Sequence, residues 1–366
     1  MAKSSPIVVP VALPGKGYEI SIASGLLAKF DEFESFLSRY QRAFIVTDSN
    51  VSKLYLAKYK RRFKKFISHV ESTVVPAGER SKVIDMTYPI WQKLVGAECD
   101  RGSLVIALGG GVVGDLAGFA AATFMRGVDF LQIPTTLLAQ VDSSVGGKVG
   151  INLPQGKNLV GAFWQPKAVW IDTDVLESLP KREFLAGLAE VIKYGVIMDE
   201  AFFNDLESNL EGILARDSAL LSAMIARCCQ LKADVVVADE TETTGRRTIL
   251  NFGHTYGHAF EKLSGYGKLL HGEAVAIGMV CAGRLASQMH GFAAADCDRL
   301  TSLLQRVGLP TEVPASIKPG EALLAMMADK KKVGDNVRLV LPSRIGSVDL
   351  VDWPGDDTVL HSLSKQ

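Results

Sequence analysis

Three of the chain's six histidines lie in one short stretch, NFGHTYGHAFEKLSGYGKLLHGE, residues 251–273. His254 and His258 are four apart, which places them on one face if the segment is helical. His271 follows a glycine-bearing loop and opens the next helical pattern. Two imidazoles on one helical face are a common metal scaffold, and a catalytic zinc takes three protein ligands and keeps one position open. The spacing is not HExxH, so a metalloprotease has no support. Glu190, Glu261 and Glu273 are the candidate carboxylate ligands. A single histidine is ordinarily a satisfied core or surface residue; three together beside glycines favour a metal or catalytic site.

A second pattern is LVIALGGGVVGDLAGFAAATFMRG, a strand, a glycine turn and a helix, in which Gly109, Gly111 and Gly114 satisfy GxGxxG. Glycines in such a turn let backbone amides approach a pyrophosphate at the helix N-terminus. The turn lies well into the chain and lacks an acidic residue at the fingerprint spacing, so a standard Rossmann domain is not supported. Asp48 and Asn50 in VTDSN, and Glu79 and Lys82 in PAGERSK, end earlier strands, where carboxylates can hold ribose hydroxyls. Asp and Asn also favour ordinary helix N-caps. Cations add to the picture: Lys148 in SSVGGKVG, Lys157 with Asn158 in LPQGKNLVG, and Lys193 three residues after Glu190 on one helical face. Cations held by glycine loops suit phosphate or carboxylate groups. The run Lys330–Lys332 on its own is a solvated charge run.

These residues need a scaffold, and 366 residues suffice for two domains of ~100–200 residues each. Short apolar runs at 43–48, 72–78, 103–111, 128–136 and 168–173 have the continuous character of parallel strands buried on both faces. Helical patterns separate them, which predicts an α/β domain over residues 1–178, Rossmann-like with a mostly parallel sheet. Over residues 179–366 helical periodicity dominates, with one late hairpin at 337–351, and a mostly helical metal- and substrate-binding domain is expected there. Lys plus Arg equals Asp plus Glu at 40 each, so no bulk charge draws the chain to nucleic acid or an anionic membrane. The basic cluster KYKRRFKKF at 58–66 alternates cations with aromatics, as a solvated amphipathic helix does. Five cysteines without a CxxC pair imply reduced thiols and a cytoplasmic location. No signal-peptide core is present at the N-terminus, and no run approaches the ~18 apolar residues of a membrane span.

The segments GGGVVGDLAGFAAATFMRG, IPTTLLAQVDSSVGGKVGIN, GKNLVGAFWQP, LAEVIKYG, LNFGHTYGHAFE and LHGEAVAIGM, in this order, resemble the 3-dehydroquinate synthase family of sugar-phosphate cyclases. The resemblance spans residues 40–350; Phe124, where the family often has Tyr, is a local departure. It implies an N-terminal NAD-binding α/β domain and a helical C-terminal domain. One divalent metal, zinc with cobalt as an alternative, is implied on Glu190, His254 and His271. NAD contacts are implied at Gly110, Gly111, Val112 and Asp115, and at Asp48, Asn50, Glu79, Lys82, Thr135, Thr136, Asp142, Lys148, Lys157, Asp172 and Thr173. Substrate contacts are implied at Arg126, Asp142, Lys148, Asn158, Lys193, Lys232, Arg247, Asn251, His258, His271 and Lys331. Catalytic roles fall to His258, Lys193, Lys148, Asn251 and Arg247.

The implied reaction converts 3-deoxy-arabino-heptulosonate 7-phosphate to 3-dehydroquinate and phosphate in the shikimate pathway. Oxidation of the C5 alcohol by NAD acidifies the C6 proton, phosphate leaves, the hydride returns, the ring opens, and an aldol step closes the carbocycle. The metal acts as a Lewis acid at C5. A homodimer is implied, with Arg126 serving the neighbouring subunit's site. Inosose- and valiolone-forming cyclases are the nearest alternatives; Lys232 and Asn251 favour the dehydroquinate enzyme. Glycerol-dehydrogenase-like oxidoreductases share the architecture but lack the SSVGGK and GKNLVG run.

Overall fold

The computed structural model describes residues 5–265, 268–330 and 338–363. In chain order the first elements are β1 (Ile7–Val11), β2 (Tyr18–Ala23), α1 (Glu34–Leu37), β3 (Arg42–Asp48), α2 (Ala57–Phe63), β4 (His69–Val75), α3 (Ile84–Gly96), β5 (Leu104–Gly109), α4 (Gly111–Thr123), β6 (Asp129–Pro134), β7 (Lys148–Leu153), β8 (Gly156–Phe163) and β9 (Ala168–Asp172). There follow α5 (Lys181–Met198), α6 (Glu200–Leu214), α7 (Ser218–Ala238), α8 (His254–Ser264), α9 (His271–Met289), α10 (Ala294–Val307), α11 (Pro319–Lys330), β10 (Arg338–Arg344), β11 (Ser347–Asp352) and α12 (Asp356–Leu363).

The first compact unit comprises residues 1–179 and 218–241. Its seven-stranded sheet has the order β1-β2-β9-β6-β5-β3-β4. All neighbours pair in parallel except β1 with β2. Alternate residues of one strand serve opposite layers, as the two-residue strand period requires. Ala43 and Ile45 join a core with Tyr59, Phe63 and Trp170, whereas Phe44 and Val46 join one with Ile90, Leu94, Val113 and Leu116. Both faces are therefore covered, which is why β3, β5 and β6 stand out as unbroken apolar runs. The basic stretch forms α2, where Tyr59 and Phe63 are buried between outward cations.

Three features depart from the sequence expectations. The strand expected at 72–78 ends at Val75, because Pro76 begins the turn that leads to Glu79. Residues 148–163, expected as glycine loops, form an antiparallel hairpin. A Cβ at Gly161 would lie 2.3 Å from the Val149 carbonyl oxygen, and one at Gly150 would lie 2.7 Å from that of Val160. The glycines that dilute the strand signal thus allow the two backbones to approach. Finally, α7, expected in the second domain, packs against β1 and β2 and belongs to the first unit. Its buried Leu221, Ile225, Cys228 and Val236 have helical periodicity whichever partner they cover.

The second unit comprises residues 180–217 and 242–366. Its centre is α9, buried nearly throughout, which packs against α5, α8, α10, α12 and β10. The late hairpin expected at 337–351 is β10–β11. Among the described residues no helix is long and apolar enough to cross a membrane.

Candidate active site

In the first unit, strand order brings distant residues to one edge of the sheet. β4 lies on one side of β3 and β5 on the other, so the chain reverses direction there, and crevices at the carboxyl ends beside such a reversal are where α/β sheets take ligands. Asp48 ends β3, Glu79 and Lys82 follow β4, Gly110, Gly111 and Val112 follow β5, and Thr135 and Thr136 follow β6. Gly110 is the N-cap residue of α4 and has no side chain of its own to cover the first amides. A Cβ on Gly110 would lie 3.0 Å from Thr136 Cγ2, and one on Gly111 would lie 3.0 Å from Ser143 Oγ. The turn is thus a shallow cradle that side chains would fill. The buried hydroxyls of Thr135 and Thr173 have no hydrogen-bond partner among the described residues.

Several expected contacts are engaged with the protein itself. The Asp48 Oδ1 atom accepts from the Asn50 and Val51 amides at 2.8 and 3.0 Å, an N-cap for the following helical turn. The carboxylate of Asp172, expected as a cofactor contact, is engaged within the protein: its two oxygens accept from the Gly25, Leu27 and Asp174 amides at 2.9, 2.9 and 3.1 Å. Lys82, buried, binds both Asp115 on α4 and Asn158 on β8. Burial raises the Asp115 carboxyl above its ordinary range even though Lys82 pulls it down. Lys232 on α7, also buried, donates to the Asp142 carboxylate at 2.8 Å and to its carbonyl at 2.6 Å. Lys148 and Lys157 are exposed on the hairpin.

One residue that sequence reading missed completes this network. The Asn152 side chain donates to Glu79 Oε1 at 2.7 Å and accepts from the Asn158 amide at 2.9 Å, while its own amide donates to the Lys82 carbonyl at 2.7 Å. Asn158 has φ +57°, a left-handed conformation that Asn tolerates better than most residues. Only the hairpin register could have revealed Asn152, and the glycines concealed the hairpin.

Arg126 is placed differently from the others. It precedes β6, with φ +67° next to Met125 at +50°, and its side chain is exposed. The amino end of β6 is separated from its carboxyl end by the length of the strand, about 17–20 Å for six residues.

In the second unit, α5, α8 and α9 meet through glycines. A Cβ on Gly272 would lie 1.8 Å from the Ala186 carbonyl oxygen, one turn before Glu190. One on Gly278 would lie 2.0 Å from the Gly253 carbonyl oxygen, and one on Gly257 would lie 3.2 Å from the Ala274 backbone. Backbone contact at these points leaves Glu190, His254 and His271 converging. His254 Nε2 lies 3.6 Å and His271 Nε2 3.5 Å from Glu190 Oε1. Glu190 is 1 % exposed, yet neither carboxylate oxygen has a hydrogen-bond partner of good geometry among the described residues; Lys193, equally buried, forms an ion pair with Oε2. Ligand atoms around a tetrahedral zinc with bonds of about 2.0–2.2 Å are separated by ~3.4 Å. The spacing and the unfilled hydrogen-bonding capacity of a buried carboxylate both fit a divalent cation.

The protonation pattern has the same origin. Burial would raise the Glu190 carboxyl, but the Lys193 cation and the two imidazoles hold it well below the usual carboxylate range. Burial and Lys193 hold His254 down to about 3. For His271 burial acts downward too, but the Glu190 and Glu261 carboxylates raise it to about 9. A cation bound here would displace the His271 proton. The Phe252 carbonyl lies 3.0 Å from His254 Nδ1, which directs Nε2 toward Glu190.

The other candidates separate cleanly. Glu273 is bound by Arg182 at 2.6 and 2.7 Å and accepts from the Leu270 amide at 2.9 Å, so it secures the start of α9. Glu261 faces His271 Nδ1, on the other side of the ring. His258 is exposed one turn after His254, their ring centres 5.5 Å apart. Arg247 is buried with its Nε 3.3 Å from Glu242, and Asn251 is exposed at the end of the same short helical segment. Lys331 lies outside the described residues.

Comparison with known proteins identifies the family. The N-terminal domain model of 3-dehydroquinate synthase matches residues 72–186 and the C-terminal domain model matches residues 187–332. A 2-deoxy-scyllo-inosose synthase, solved with carbaglucose-6-phosphate, NAD+ and Co2+, superposes with TM-score 0.87 at 25% identity, covering 98% of this chain and 99% of its own. The 2-epi-5-epi-valiolone synthase of Streptomyces hygroscopicus subsp. jinggangensis, solved with NAD+ and Zn2+, superposes with TM-score 0.87 at 26% identity, covering 96% and 97%. An iron-containing alcohol dehydrogenase at 15% identity and TM-score 0.67, covering 94% and 96%, shares the fold alone. With both domain models matched in tandem over more than half of its length, the chain belongs to the 3-dehydroquinate synthase family of sugar-phosphate cyclases, and it is an enzyme of that family.

Proposed function

We propose that this enzyme is a 3-dehydroquinate synthase, a phosphate-eliminating lyase that uses NAD and one divalent metal. The observation that carries this reading is the pair of domain models matched, both those of 3-dehydroquinate synthase. Lys232, held by Asp142 beside the carboxyl edge, supports it, since it would supply a cation to an acidic substrate that exchanges with Asp142. Gly110, Gly111 and Val112 would admit the cofactor's pyrophosphate to the start of α4. Asp48, whose Oδ1 is taken by its cap, and Glu79, oriented by Asn152, would face its ribose hydroxyls. Glu190, His254 and His271 would hold the metal. When bound, NAD takes up and returns a hydride, and the metal polarises the oxygen at the oxidised carbon. Lys148, Asn158, Lys193, Arg247, Asn251 and Lys331 are assigned to the substrate's phosphate and carboxylate. His258, exposed and beside both histidine ligands, is assigned to proton handling.

A second reading, an inosose- or valiolone-forming cyclase, draws on the relatives whose bound NAD+ and cobalt or zinc this chain's residues would also accommodate. One assay separates the two. With the heptulosonate 7-phosphate, NAD and zinc, phosphate is released, 3-dehydroquinate forms and no NADH accumulates. Turnover of a hexose 6-phosphate, with the heptulosonate inert, would favour the second reading; NADH equal to product would point to a dehydrogenase.

Arg126 is assigned to the site of a second copy in a homodimer, because its place at the amino end of β6 is remote from its own sheet's carboxyl edge. Arg126→Ala and His258→Ala subunits, each nearly inactive alone, should recover about a quarter of wild-type activity when randomly mixed. No recovery after verified exchange rules out the shared site.

A further inference from the structure

We propose that Glu261 is a positioning residue that holds the imidazole of His271 for metal binding without ligating the metal itself; this rests on the metal reading of Glu190, His254 and His271. His254, His258 and Glu261 occupy positions i, i+4 and i+7 of α8, one stripe of the helix. Glu261 is 8 % exposed. Its Oε2 lies 3.4 Å from His271 Nδ1, while the opposite nitrogen, Nε2, lies 3.5 Å from Glu190 Oε1. A neutral imidazole carries one proton, and an ionised carboxylate only accepts hydrogen bonds. The proton therefore belongs on Nδ1, facing Glu261, and the lone pair on Nε2 faces the metal position.

His254 is held the same way by a different acceptor, the neutral Phe252 carbonyl. The two histidine ligands are thus supported unequally. His271 gains a carboxylate partner, which makes its ring the more basic donor. His271 also needs the firmer hold: it is the first residue of α9, directly after the loop, whereas its side chain remains 31 % exposed. A competing arrangement exists on the same atoms. His258, Glu261 and His271 offer ligand atoms within 4.8 Å of one another and form a second candidate cation group. Were Nδ1, the nitrogen 3.4 Å from Glu261, the ligand in that group, it could carry no proton, and that arrangement would exclude the present assignment.

The test uses full-length, metal-stripped protein titrated with zinc against a chromophoric chelator, and with cobalt followed by its visible absorption. Wild type is expected to bind one ion per chain. Glu261→Met, similar in volume but unable to accept a hydrogen bond, should bind about 10–100-fold more weakly. Glu261→Gln, whose amide oxygen still accepts from Nδ1, should recover most of that loss and show cobalt bands displaced from wild type. A Met variant within twofold of wild type overturns the proposal, as do two ions per wild-type chain falling to one in Glu261→Gln. Should the Met variant not fold, an unchanged cobalt spectrum in Glu261→Gln overturns it instead. Wild-type protein that binds no ion at all defeats the underlying metal reading, a separate outcome.

Discussion

At the carboxyl edge of the sheet, residues as far apart as Asp48 and Thr173 are gathered by strand order. In the histidine cluster, Glu190 and a stretch of some twenty residues are pressed together by glycines at which helix backbones touch. The first assembly tolerates adjustment, because loops after strands can move without disturbing the ladder. The second has no slack: α5, α8 and α9 meet backbone to backbone, and its two central charges are buried. The difference lies in where each region keeps its precision, in topology for the sheet edge and in steric contact for the cluster.

The largest expected effects lie in the buried charges. Glu190→Gln leaves Lys193 without its partner, and breaking such a pair costs about 3–5 kcal/mol. Zinc should not restore the melting temperature, because a ligand has gone. Lys193→Met should cost a similar amount in metal-free protein, with zinc restoring much of it by satisfying Glu190. In the sheet edge, Lys82→Met should cost only about 1–2 kcal/mol, since the Asp115 carboxyl, already raised by burial, can take up a proton and shed its charge once the lysine is gone. Equal losses in denaturant titrations of Glu190→Gln and Lys82→Met would erase the contrast.

Next in size are the glycines. Gly272→Ala forces a Cβ against the immovable Ala186 carbonyl, at 1.8 Å; overpacking of this kind costs about 1–3 kcal/mol or more and should weaken zinc binding by parting His271 from Glu190. Gly118→Ala on α4 meets the Val149 side chain at 2.3 Å and the Phe130 ring at 3.0 Å, side-chain atoms rather than backbone, so the loss should be smaller and zinc affinity unchanged. The comparison fails if Gly118→Ala disturbs the metal and Gly272→Ala does not.

Smaller still is Asp48→Ala. It removes a cap, worth about 0.5–2 kcal/mol, and its effect on the KM for NAD should exceed its effect on stability. Smallest is Arg182→Ala: its bond to Glu273 is exposed on the arginine side, so calorimetry should register about 1 kcal/mol or less.

The same contrast governs what sequence reading could recover. His254 and His258 share a helical face through spacing alone, and β3, β5, β6 and β9 declare themselves as apolar runs because both faces of the sheet are covered. Local patterns cannot say which carboxylate a histidine faces. Glu190, Glu261 and Glu273 remain equivalent until backbone contact at Gly272 brings α5 against α9, and only the family resemblance selects Glu190 beforehand. Asp48 and Asp172 look alike as strand-end acids, yet Asp172 has both oxygens bound to amides from a segment nearly 150 residues earlier in the chain. The β7–β8 hairpin escapes because its glycines, essential for strand contact, are poor strand formers, and Asn152 escapes with it.

Helix α7 also bears on how the gene could be divided. The chain leaves the first unit after Leu179, returns for residues 218–241 and departs again. A fragment ending at residue 179 would therefore lack the helix that covers β1 and β2, leaving an apolar surface bare, and should be insoluble or partly unfolded. A complementary fragment starting at residue 180 would carry that helix as a misplaced passenger. Modular exchange between members of the family thus requires two segments to be moved together: shuffling at the obvious linker should give inactive hybrids, whereas hybrids that transplant 1–179 and 218–241 from one parent should fold.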